Sequence, residues 1–172
     1  MTRSPLPQTP APPLDLPVIG GERFVLAEQH PDSFTLIVFY RGWHCPICRG
    51  YLQQLQKALP ELESLGVTSV AVSADTEERA HRSAQEWNLD KLPVAYAQTE
   101  DSMREWGLYL SKGVKDPEPG LFGEPGIYLV KPDGAIHMAA LNSMPAARPR
   151  IEDLLGAIKY FINTDYPARG EA

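Results

Sequence analysis

The sequence predicts an α/β protein: a three-layer sandwich with a mixed central sheet, helices on both faces, and a C-terminal β-hairpin followed by a helix. Three observations lead there. Apolar runs of strand length alternate with stretches of helical period. A turn sequence, Lys131-Pro132-Asp133-Gly134, separates two late apolar runs and reads as a hairpin. The chain has 172 residues, 43% apolar and 22% charged, which is the size and composition of one domain with a buried core. Strand–helix alternation closed by a hairpin yields a mixed sheet rather than a purely parallel one.

Each element has its own signal. Residues 1–13 hold five prolines and few apolar side chains, so a loose tail is expected there. The folded domain is expected over 14–164, with a second tail at 165–172. After the turn-like Gly20-Gly21, residues 23–26 read as a short edge strand. Residues 34–40 are β-branched and aromatic without alternation, as in a central strand covered on both faces. From Pro46, the residues Ile47, Tyr51, Leu52, Leu55, Leu59 and Leu62 recur at helical steps. Pro60 kinks or restarts that helix, and Gly66 closes it. Residues 67–73 alternate as a second strand. Asp75, with Glu78 three positions on, predicts the cap of a helix running to Trp87. Residues 93–97 suggest a short strand and 100–106 a brief helix stopped by Gly107. Residues 108–124 are rich in Gly and Pro and read as a long surface loop. The hairpin spans 127–141. A final helix over 151–162 buries Leu154, Leu155, Ile158 and Phe161. There are no internal repeats.

Charge and hydropathy narrow the function. Sixteen Lys and Arg against twenty-two Asp and Glu leave a net charge of −6, which disfavours nonspecific binding to nucleic acid or an anionic membrane. The longest unbroken apolar stretch, residues 36–40, is far too short to span a bilayer. The N-terminus carries no apolar core of a signal peptide, so a cytoplasmic location is expected.

Only two cysteines are present, Cys45 and Cys48, spaced as Cys-Pro-Ile-Cys between a strand and a helix. In a cytosolic chain that spacing points to chemistry rather than to a disulfide framework. Pro46 suits the first helical position, which makes Cys45 the expected cap and puts Cys48 in the first turn. Free backbone N–H groups and the helix dipole then favour thiolate over thiol. Arg41 and Arg49 flank the pair and can act in the same direction. Residues three apart at a helix start have Cα atoms about 5–6 Å apart, within disulfide range. With no third cysteine, any intramolecular disulfide joins these two. A zinc site needs two further ligands, and His30, His44, His81 and His137 show no paired spacing, so no metal or cofactor is expected. Trp87 and Trp106 read as core, His44 as a bystander, and Trp43 as an aromatic lining the approach to the sulfur.

The segment Phe39-Tyr40-Arg41-Gly42-Trp43-His44-Cys45-Pro46-Ile47-Cys48-Arg49 resembles the peroxiredoxin-like branch of the alkyl hydroperoxide reductase and thiol-specific antioxidant superfamily. The likeness continues through Gly126-Ile127-Tyr128-Leu129-Val130 and the turn after it to Ser143-Met144-Pro145-Ala146-Ala147-Arg148-Pro149. The resemblance implies a thioredoxin-like fold and thiol-dependent reduction of hydroperoxides or disulfides. Its implied partners are a small hydroperoxide or a protein disulfide, an external thiol reductant such as thioredoxin or glutathione, and a second copy in a homodimer. By likeness to thioredoxins, Cys45 is the nucleophile. By likeness to the peroxiredoxin Thr-x-x-Cys motif, Cys48 is, with Cys45 replacing the Thr. Peroxiredoxins carry a peroxide-holding Arg before the strand that opens the hairpin; here that place reads Glu124-Pro125-Gly126. Pro125 resembles instead the cis-proline that faces the cysteine pair in thioredoxins, and the peroxide-holding role falls to Arg41 or Arg148. Three activities stay open at this point: a peroxidase, a protein disulfide oxidoreductase, and a redox-responsive binding module using residues 108–124.

Overall fold

The β-branched run Phe34–Phe39 forms a strand, β3, in which every residue is buried. A computed structural model of the chain describes residues 4–172. Before β3, β1 (Asp15–Pro17) and β2 (Arg23–Val25) form a small antiparallel ribbon. After it come α1 (Pro46–Ser64), β4 (Val67–Val72), α2 (Glu77–Glu86), β5 (Val94–Ala95) and α3 (Glu100–Glu105). A second ribbon, β6 (Leu110–Lys112) and β7 (Leu121–Gly123), precedes β8 (Gly126–Val130), β9 (Ile136–Leu141) and α4 (Ile151–Thr164). The main sheet has the order β5-β4-β3-β8-β9. β3 and β5 run parallel to β4, whereas β8 pairs antiparallel with β3 and with β9, so the sheet is mixed as expected.

The period of two along β3 sorts its side chains onto two faces. Leu36, Val38 and Tyr40 meet Leu52, Leu55, Leu59 and Leu62 of α1 and Leu154 and Ile158 of α4. Ile37 and Phe39 meet Met103 and Trp106 around α3, together with Leu14, Leu16 and Phe24. Trp106 is fully buried, with its ring 5.2 Å from Phe39 and 4.9 Å from Tyr128. Among the described residues no helix is long and apolar enough to cross a membrane.

Several expectations are corrected. Helix α1 does not restart at Pro60: one helix spans Pro46–Ser64, and Pro60 lies on its exposed side where solvent can meet the carbonyl it leaves unpaired. The cap of α2 is Thr76, whose hydroxyl accepts the Arg79 N–H at 3.3 Å, because Asp75 is turned inward. Residues 108–124 are not a plain loop: they contain β6 and β7, each too short for a period to be legible. Residues 4–13 are not loose either. Gln8 N–H donates to Ile136 O, Ala11 N–H to Gly134 O, and Ile136 N–H to Thr9 O, which satisfies backbone groups at the start of β9. Residues 1–3 of the expected tail lie outside the described residues. At the other end, Ala168 is buried and its carbonyl accepts from Gln8 Nε2, while the Tyr166 ring stacks on Phe161.

Candidate active site

The chain leaves the sheet at Tyr40, whose N–H still bonds Val72 O. Gly42 then adopts φ +126°, a conformation that side chains resist, and the chain turns into α1. Cys45 N–H closes the turn on Gly42 O at 3.1 Å. Cys45 is the N-cap of α1: its backbone is extended and its Sγ accepts the Cys48 N–H at 3.2 Å. A thiol sulfur thus fills the place usually held by a Ser, Thr or Asp oxygen.

Both cysteines are free thiols and both are buried. Their protonation is shared unequally. The Cys45 thiol is held below the ordinary range, chiefly by a hydrogen bond from the Cys48 thiol and then by the Cys48 N–H, Arg41 and Arg148, against the opposing effect of burial. Cys48 is pushed far up, first by burial and then by its role as donor to Cys45. Two adjacent thiolates would repel, so ionising one sulfur disfavours ionising the other.

Two arginines approach this pair with different commitments. Arg41 Nε stands 3.3 Å from Glu124 Oε2, its Nη2 3.9 Å from Glu118 Oε1, and its guanidinium 4.7 Å from the Phe122 ring centre. Much of its charge is therefore answered. Arg148, on the segment after the 3-10 turn Pro145–Ala147, is buried against the Tyr51 ring at 4.1 Å. Its Nε donates to Pro145 O at 3.1 Å, but Nη1 and Nη2 are enclosed without a partner among the described residues. A buried guanidinium with two free donors is a site for an anion.

The AhpC/TSA family model matches residues 7–139, which include the whole strand, turn and helix bearing the cysteines. The chain belongs to the AhpC/TSA family. It is 27% identical over 154 residues to a peroxiredoxin of Treponema denticola, covering 89% of this chain and 67% of that protein. It is 26% identical over 119 residues to alkyl hydroperoxide reductase C of Staphylococcus epidermidis, covering 69% of this chain and 61% of the relative. This AhpC/TSA chain thus spans about two thirds or less of those relatives' lengths. A crystal structure of a mutant peroxiredoxin 6 from Arenicola marina superposes with a TM-score of 0.80 at 11% identity, covering 92% of this chain and 74% of that one. That likeness shows the thioredoxin-type fold.

Within this AhpC/TSA site the remaining expected residues are placed as follows. The Trp43 indole turns toward α2: its Nε1 donates to Glu86 Oε2 at 2.8 Å and the Arg82 guanidinium lies 3.8 Å over its ring. Pro125 is buried at the entry to β8, and its carbonyl accepts the Asn142 N–H. The peptide bond before it is trans, so the likeness to the thioredoxin cis-proline does not hold. Its neighbour Glu124 is drawn instead into the ion pair with Arg41 and a hydrogen bond from Ser111 Oγ at 2.6 Å. His44 Nδ1 faces Arg79 Nη2 at 3.3 Å, and a guanidinium can only donate, so the imidazole proton belongs on Nε2. Burial, with Arg41 and Arg79, lowers the His44 pKa to about 4, which leaves the ring neutral and its acceptor nitrogen occupied. Sequence reasoning did not anticipate Glu118, Phe122, Asp75 or Arg79 at the site. Two signals lie in the sequence: Asp75 after β4, whose carboxylate meets the turn rather than capping α2, and the Glu124-Pro125-Gly126 string, whose carboxylate meets Arg41.

Proposed function

We propose that this AhpC/TSA protein is a thiol-dependent peroxidase in which Cys45 attacks a hydroperoxide and Cys48 resolves the product. The Cys45 thiolate attacks one peroxide oxygen and the O–O bond breaks. The leaving oxygen departs as an alkoxide or hydroxide, takes a proton and becomes an alcohol or water. Cys45 is left as a sulfenic acid. The Cys48 sulfur then attacks Cys45 Sγ, water leaves, and a Cys45–Cys48 disulfide remains. An external thiol pair, of the thioredoxin or glutathione kind, reduces it and is itself oxidised. Arg148 fits the place beside the sulfurs where the developing oxyanion needs a cation.

The observation that carries this reading is the Cys45 Sγ as helix cap, accepting the Cys48 N–H at 3.2 Å. It supports both an ionised sulfur and a resolving partner within reach. The family relatives named peroxiredoxin and alkyl hydroperoxide reductase support the substrate class. The test is single-turnover reaction of the reduced Cys45→Ser and Cys48→Ser variants with hydrogen peroxide. Cys48→Ser is expected to accumulate a trappable sulfenic acid at Cys45, and Cys45→Ser to react slowly. The reverse pattern would assign the attack to Cys48.

A further inference from the structure

We infer that Asp75, paired with Arg79, is a positioning residue that holds the Cys45 turn in place and ties it to the segment covering His44. This rests on the reading of Cys45 and Cys48 as the reacting thiols, and neither residue need touch substrate.

Asp75 leaves β4 with its side chain 1% exposed, so its carboxylate needs partners inside the protein. Oδ2 accepts the Trp43 N–H at 2.7 Å, a charge-assisted bond to the backbone of the turn itself. Gly42 packs on the same carboxylate: a Cβ there would lie 2.6 Å from Oδ1, so the carboxylate occupies the space a side chain would take. Gly42 O in turn accepts the Cys45 N–H, and Cys45 Sγ accepts the Cys48 N–H. An unbroken chain of contacts therefore runs from Asp75 to the reacting sulfur. Asp75 is itself fixed from behind, by its own N–H to Ser73 Oγ and by its carbonyl accepting the Ala97 N–H.

The other oxygen, Oδ1, accepts from Arg79 Nε at 3.2 Å. Arg79 Nη2 reaches on to His44 Nδ1 at 3.3 Å and donates to Pro117 O at 3.0 Å. Pro117 lies between β6 and β7, next to Glu118, which faces Arg41. One partly buried ion pair thus braces the turn beneath the sulfur and the loop beside His44. Displacing a reacting group by about 1 Å costs on the order of a hundredfold in rate, so such a brace bears directly on reactivity.

The experiment uses the full-length reduced protein and reads the thiol itself: the rate of iodoacetamide alkylation at Cys45, resolved by peptide mass spectrometry, as a function of pH. Asp75→Ala is expected to slow Cys45 by about tenfold or more and to change its pH profile. Asp75→Asn keeps an oxygen for the Trp43 N–H and is expected to recover the rate to within about threefold. Both are expected to increase tryptic cleavage after Lys115, because both lose the ion pair to Arg79. Folded Asp75→Ala with the wild-type rate and profile would overturn the inference, as would equal losses in the two variants. If Asp75→Ala does not fold, Arg79→Met takes its place: faster cleavage at Lys115 with alkylation within about threefold of wild type is expected, and unchanged cleavage is the contrary result. Wild-type Cys45 reacting no faster than free cysteine would remove the thiol reading, and this inference with it.

Discussion

At the scale of residues, the site turns on where one proton and one positive charge reside. Cys45 gathers the Cys48 thiol, the Cys48 N–H and two guanidinium fields, whereas Cys48 is enclosed and donates. A thiol with a depressed native pKa is ionised in the fold at a pH where the unfolded chain still holds the proton. Its stabilising effect is complete above the ordinary thiol value and is lost as pH falls through the native one. Alkylation of Cys45 should therefore keep its high-pH plateau below the ordinary midpoint of about 8.5. Arg148→Met should move the midpoint upward, because the uncommitted guanidinium is removed while Arg41 stays bound to its carboxylates. A pH series of alkylation rates on both proteins checks this. An unchanged midpoint in the variant would mean that Arg148 does not act on the sulfur.

At the scale of elements, the β6–β7 ribbon is the unexpected part of the site. It brings Phe122 against His44, with ring centres 4.7 Å apart, and sets Glu124 beside Arg41. Glu124 is 3% exposed and Arg41 20%, so the pair is shielded from solvent. Removing one member strands the other in the interior, which typically costs about 3 kcal/mol or more. Glu124→Gln should lower stability by that order, read as a drop in the urea midpoint at unchanged slope. It should also leave Arg41 facing Glu118 alone. A loss below about 0.5 kcal/mol would place this pair with surface ion pairs of little consequence.

At the scale of the whole molecule, the β9 edge of the sheet is partly covered by the chain's own N-terminal stretch. Pro10 bridges Ala135, and the hydrogen bonds of Gln8, Thr9 and Ala11 lie around that contact. A variant lacking residues 1–11 would uncover that part of the edge strand and leave backbone donors and acceptors open. It should unfold at lower urea concentration and self-associate at raised protein concentration, as measured by denaturation and by light scattering. Unchanged behaviour in both would show that the stretch adds nothing to stability.

Much of this was legible in residue order, for definite reasons. The central strand, the helix after Pro46 and the hairpin at residues 131–134 depend on periodicity, on proline geometry and on turn residues, all of which act over a few neighbours. Cys45 as cap of α1 belongs with them, since a helix start is a local event. The ribbon within 108–124, the trans bond before Pro125, the inward turn of Asp75 and the pairing of residues 8–11 were not legible. The ribbon's strands are too short for a period to show, whereas the inward turn of Asp75 and the pairing of residues 8–11 rest on groups far apart in sequence: Asp75 with Trp43, Pro10 with Ala135.

By itself, then, the amino-acid order determined an α/β architecture and two sulfurs at the mouth of a helix. Only the tertiary structure decided which arginine faces carboxylates, how deeply each sulfur is buried, and which carboxylate meets the turn beneath them. The physical reason is that hydrogen-bond geometry at a helix start is short-ranged. Ionisation and charge pairing depend instead on burial and on partners brought together by the fold.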